Sequence, residues 1–169
     1  YKGSLKRLNN HEWMAKAVVK AFLRICKVPF KKDELKAGSQ PPDVVFREAN
    51  FEVTERLDEN RKRDDEYKDK LKKAEEANKL SDLRQPLEHS IAMEFPELLG
   101  LIEEAMDDKF GKYGSETCKE LDLLVYVDVK NRHLNPQAKM HRTPEFLSKA
   151  KEQGWRSVSF IMGLSAGVI

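Results

Sequence analysis

The segment "LDLLVYVDV", Leu121 to Val129, limits the fold more than any other stretch of the chain. It is a nearly continuous apolar run rich in β-branched residues, with none of the polar alternation that marks a strand wetted on one face. Such a run reads as a strand buried on both sides in the middle of a sheet. A sheet with two buried faces needs helices on both. The flanking sequence supplies them. From His11 to Lys27, residues Met14, Ala17, Val18, Ala21, Phe22 and Ile25 recur at three- and four-residue steps and predict an amphipathic helix. Pro96, followed by Leu98, Leu99, Ile102, Ala105 and Met106, predicts a second helix that ends at Gly111 and Gly114. Thr143 and Pro144 offer an N-cap and first position for a third, closing at Gly154.

The remaining apolar segments read as strands. "VPF" (Val28 to Phe30) opens a short one, and "KAGSQPP" is turn chemistry. Asp43 to Phe46 and Phe51 to Leu57 form a β-hairpin, "WRSVSFIM" (Trp155 to Met162) is a strand, and "GLSAGVI" is one more. Asp58 to Leu80 has almost no apolar stripe and predicts an exposed helix, with Ser81 to Ser90 as a connector. The expected class is α/β (α+β), a mixed central sheet flanked by helices in one domain spanning residues 1–169.

Composition narrows the function classes. With 169 residues, 40% hydrophobic and 36% charged, the chain has the balance of a globular protein and lacks any run near the ~18 apolar residues of a membrane span. A cytoplasmic location is expected. Cys26 and Cys118 stand far apart with no CxxC partner and are read as reduced. His11, His89, His133 and His141 show no zinc spacing. The net charge of +2 gives no global attraction to nucleic acid, so any such contact must be local. Basic clusters at Lys6 and Arg7, Arg61 to Arg63 and Lys68 to Lys73 are candidates. Acids interleave the last two, as on a solvated helix laced with ion pairs.

The hairpin carries two acids. With a two-residue loop at Glu48 and Ala49, Arg47 pairs with Asn50 and Asp43 faces Thr54. Asp43, Glu52, Thr54 and Arg56 then project to one side, with Phe51 and Val53 on the other. Asp43 and Glu52 become diagonal neighbours at ~7–8 Å, close enough to converge on one cation. Two hard oxygen ligands suit Mg²⁺ or Mn²⁺, because Mg²⁺ keeps several waters and takes one or two carboxylates beside substrate phosphates. The alternative is that Asp43 caps the hairpin while Glu52 pairs with Arg56 or Arg47 on a solvated face.

"PPDVVFREANFEV", "LDENRKRDDEYK", "ELDLLVYVDV" and "QGWRSVSF" together resemble a bacterial family of poorly characterised proteins described as endonucleases, within the PD-(D/E)XK nuclease superfamily. The resemblance runs from Pro41 to Phe160. It implies an αβββαβ core and metal-dependent hydrolysis of a phosphodiester in nucleic acid, DNA by analogy. It places Pro42 and Asp43 on the "PD" and Glu52 on the acid, with Asp43 and Glu52 as metal ligands. Thr54 stands where the motif has Lys, and a neutral hydroxyl cannot supply that positive charge. Arg56, or Lys62 and Arg61, would have to fill the role; otherwise the chain is a nuclease-fold binding module without catalysis. Glu12 is a further acid candidate, which helical phase turns toward water. Asp122, Trp155 and Arg156 are read as structural, and Asp64, Asp65 and Tyr67 as solvated. Oligomeric state is not legible.

Overall fold

The computed structural model describes residues 10–58, 61, 66, 72 and 89–169. The expected exposed helix, with Lys62, Asp64, Asp65 and Tyr67, lies for the most part outside the described residues.

The elements follow in the order α1 (Asn10–Ile25), β1 (Leu35–Ala37), β2 (Val44–Phe46), β3 (Ala49–Leu57), β4 (Ile91–Met93), α2 (Phe95–Cys118), β5 (Asp122–Asp128), β6 (Arg132–Leu134), α3 (Pro144–Gln153), β7 (Ser157–Met162) and β8 (Ser165–Val168). Six strands form one mixed sheet in the order β1-β2-β3-β5-β7-β8, with β3, β5 and β7 parallel and the outer pairs antiparallel. The fold is therefore the mixed α/β class expected, with β5 at the centre. No helix among the described residues is long and apolar enough to cross a membrane.

Alternation along the strands divides the core into two layers. Leu123, Val125 and Val127 of β5 and Val158, Phe160 and Met162 of β7 pack under α2 and α3 with Leu98, Ile102, Met106 and Phe146. Leu124 and Ile161 point the other way and join Phe51 and Val53 of β3 beneath Ala15, Val18, Val19, Phe22 and Leu23 of α1. On β3, residues Glu52, Thr54 and Arg56 thus belong to the α2 side. On this face β3 carries Glu52, Thr54 and Arg56 where β5 and β7 carry apolar side chains.

Three local expectations change. Val28 to Phe30 form no strand, because Lys27 takes a left-handed φ of 56° and the Val28 N–H bonds the Leu23 carbonyl, closing α1 with a Schellman cap. The strand begins only at Leu35, after a 3₁₀ turn over Lys32–Glu34. The second helix passes Gly111 and reaches Cys118 through an interruption at Gly114, whose φ of 72° favours glycine. The buried stripe of α1 centres on Ala15, Val19 and Phe22, with Met14, Ala21 and Ile25 at its margin. Thr143 caps α3 as expected, accepting from the Phe146 N–H at 3.1 Å, and Gly154 ends it.

Candidate active site

The hairpin turns one residue earlier than the sequence suggests. Val44 pairs with Phe51 and Phe46 with Ala49, leaving Arg47 and Glu48 as the loop. Hydrophobic alternation sets the register only to within two residues, and both registers bury Phe46 and Phe51. Tertiary contacts of Arg47 decide it: the guanidinium lies 4.7 Å from the Phe46 ring centroid and donates to Glu34 Oε1 at 3.1 Å and to the Pro29 carbonyl at 2.9 Å.

In consequence Asp43 sits beside Glu52 and does not face Thr54. Its N–H donates to the Phe51 carbonyl at 2.9 Å and its Oδ2 accepts from the Val53 N–H at 2.9 Å, so Asp43 spans the strand position that Glu52 occupies. Both acids are buried, Asp43 at 6% and Glu52 at 1% exposure. The loop before Asp43 is seated by Gly38, where a Cβ would stand 1.9 Å from the Pro42 carbonyl oxygen.

Glu52 does not pair with Arg56 or Arg47. Its Oε1 accepts from Lys109 Nζ at 2.5 Å and from the Tyr113 hydroxyl at 2.8 Å, both on α2. No bond to Oε2 is found among the described residues. Burial and the hydrogen bond to Glu52, with the charges of Glu52 and Asp43, push the Tyr113 hydroxyl up to about 12, against an opposing pull from Lys109. Burial and the charge of Glu52 also raise the Cys118 thiol. Tyr113 therefore feels both carboxylates. Lys109 and Lys112 stand 5.7 and 4.7 Å from the Tyr113 ring centroid.

The other proposed cations lie elsewhere. Arg56 Nη2 bonds Asp108 Oδ2 at 2.5 Å, while its buried Nε has no hydrogen-bond partner among the described residues. Arg61 donates to Asp58, Glu66 and Asp128 at the far end of β3 and β5, and the hydrogen bond to Glu66, with the charge of Asp128, raises its pKa. Thr54 follows Glu52 on the same strand face, as expected from alternation. Glu12 accepts from Lys16 Nζ at 2.8 Å and is half-exposed. With the buried stripe centred on Ala15, Val19 and Phe22, helical phase places Glu12 on the side of that stripe, and not opposite it as the sequence pattern suggested. Among the described residues, no group of three or more His, Cys, Asp and Glu gathers for a metal.

Lys109 and Tyr113 are what the sequence reading missed. The buried stripe of α2 runs through Leu98, Ile102, Ala105 and Met106, and its helical spacing continues onto Lys109 and Tyr113. A lysine and a tyrosine in the phase of a buried stripe are the available signal. A helix-borne Lys–Glu pair this enclosed adds little net stability, because desolvation consumes most of its Coulomb gain.

Comparison with known proteins gives a family and a solved structure whose descriptions differ. The profile of a family described as "Putative endonuclease, protein of unknown function (DUF1780)" matches residues 5–169. A solved structure from Pseudomonas aeruginosa strain PAO1 is similar with a TM-score of 0.66 and 25% identity, over 93% of this chain and 71% of that one. That protein is described as one of unknown function in the monooxygenase superfamily. No curated protein matches the chain.

Proposed function

The chain belongs to this endonuclease-described family, and on that premise we propose that it is a metal-dependent phosphodiesterase of the PD-(D/E)XK superfamily, acting on nucleic acid, DNA first. The observation that carries the reading is the seating of Asp43 beside Glu52. Two buried carboxylates adjoin one another, and Glu52 keeps Oε2 clear of hydrogen bonds among the described residues. A pair of hard carboxylate ligands, with Glu52 Oε2 able to accept, fits Mg²⁺ or Mn²⁺, which completes its shell with water and substrate oxygens. Asp43 and Glu52 would hold the ion. Bound there, it supplies Lewis acidity toward water and the phosphodiester. The Val53 N–H orients Asp43, and the Tyr113 hydroxyl orients Glu52 from the other side.

The rival reading, a module that binds nucleic acid without cutting it, rests on Thr54 in the place of the motif lysine. An ammonium nevertheless reaches Glu52 from α2, which weakens that ground. Thermal melting with and without metal tests the proposal. Mn²⁺ at a hundredfold excess over Kd is expected to stabilise the fold by about 2.7 kcal/mol, and Asp43→Asn to remove that gain. Cleavage of single- and double-stranded DNA and of RNA in the same buffer separates enzyme from module. Neither metal shifting the melt, with every substrate intact, would end the nuclease reading.

A further inference from the structure

We propose that Lys109 is a catalytic residue that replaces the motif lysine from helix α2: its ammonium is the resident counterion of Glu52, and metal binding hands it to the scissile phosphate. This rests on the nuclease reading above.

The motif position itself is neutral. Thr54 shares the β3 face with Glu52 and brings no charge, while Arg56 is drawn to Asp108 and Arg61 to Asp58, Glu66 and Asp128. Lys109 bonds Glu52 directly, its Nζ 2.5 Å from Oε1 and its side chain 16% exposed. Its flexible four-carbon stem lets the ammonium move while the helix stays in place.

A divalent ion and an ammonium compete for the same carboxylate charge. With an ion held by Asp43 and Glu52, like-charge repulsion would weaken the bond from Nζ to Oε1, and a phosphodiester bound there would offer the ammonium a new anion. The Tyr113 hydroxyl keeps its bond to Glu52 and preserves that side chain's orientation through the exchange. In hydrolysis a water oxygen bonds to phosphorus and the ester P–O bond breaks. One water proton leaves to solvent and the departing oxygen takes a proton from solvent. Lys109 stabilises the charge that builds on the phosphoryl oxygens and is unchanged at the end.

Competition and catalysis give opposite signatures on removing the ammonium. In Lys109→Met, Mn²⁺ affinity measured by calorimetry is expected to rise several-fold, about 3–10, as the competing charge is lost. Cleavage by the same variant is expected to fall on the order of 10²–10³-fold. Adding Thr54→Lys to Lys109→Met is expected to recover at least about tenfold of the cleavage, by placing an ammonium at the motif position. Lys109→Gln, which retains a donor for Glu52, repeats the measurement should the methionine variant melt early. A lysine that served only to hold the fold would weaken both binding and cleavage when removed.

Unchanged or weaker Mn²⁺ binding in both variants overturns the exchange, and unchanged cleavage in both overturns the catalytic role. A wild type that binds Mn²⁺ and cuts nothing also overturns that role while leaving the metal site in place. A wild type that neither binds nor cuts removes the nuclease reading as well.

Discussion

Two buried acids of the same sheet, Asp122 and Glu52, are built in opposite ways. Asp122 opens β5, and both its oxygens are fully engaged: Oδ1 accepts from Arg156 Nε at 3.0 Å and Ser157 Oγ at 2.7 Å, and Oδ2 from the Asn50 N–H at 2.8 Å and Arg156 Nη2. Arg156 also donates to the Glu48 carbonyl at 2.9 Å, tying the β2–β3 loop to the start of β7. Hydrogen bonding to Asp122 raises the Arg156 pKa. Glu52 has both its partners on one oxygen, and both come from a helix. The first acid is a strand junction whose valences are filled by the fold. The second retains capacity that the fold does not use, as a binding site requires.

The largest expected effect would break the junction. Asp122→Ala leaves a partly buried guanidinium without its partner and should cost about 3 kcal/mol, near the low end for such pairs because Arg156 reaches solvent. A fall of the melting temperature by roughly 6–12 °C corresponds to that loss for a chain of this size. An equal fall on Glu52→Gln would erase the distinction between the two acids. Glu52→Gln is instead expected to cost about 1 kcal/mol, because the amide oxygen still accepts from Tyr113 and Lys109 can extend its ammonium toward water. The metal-dependent shift should vanish in Glu52→Gln and survive in folded Asp122→Asn.

The smallest effect sharpens the comparison through pH. The Tyr113 hydroxyl has its pKa raised from 10 to about 12. With the folded value above the unfolded one, its contribution is fully present below pH ~10 and is lost as pH rises to ~12. Tyr113→Phe should therefore flatten the alkaline fall in melting temperature relative to wild type. Parallel curves for the two proteins over that range would show that the hydroxyl does not sense the buried acids.

Much of the fold could be read because it depends on local periodicity. The apolar run at β5, the capped start of α3 and the stripe of α2 each carry their signal within one segment. Strands of three residues do not. Among the described residues β4 and β6 pair with each other, and Ile91–Met93 carries no strand signal because so short a run has no pattern to count. For the candidate site, Asp43, Glu52 and Thr54 were legible as one face of a hairpin. Their register was not, since a shift of two residues leaves the same side chains buried.

The amino-acid sequence by itself determined a mixed sheet around Leu121 to Val129, helices on both faces, and a pair of acids where a strand should be apolar on one side only. Periodicity is a property of a segment and needs no partner. Tertiary structure alone decided that Asp43 adjoins Glu52, through Arg47 reaching Glu34 and Pro29, and that the cation beside Glu52 is Lys109. Those contacts join residues 13 to 57 positions apart, and which ammonium meets which carboxylate follows from how α2 lies across β3. Arg56, four residues from Glu52 along one strand, was the nearer cation in sequence; the helix turned it to Asp108 and brought Lys109 instead.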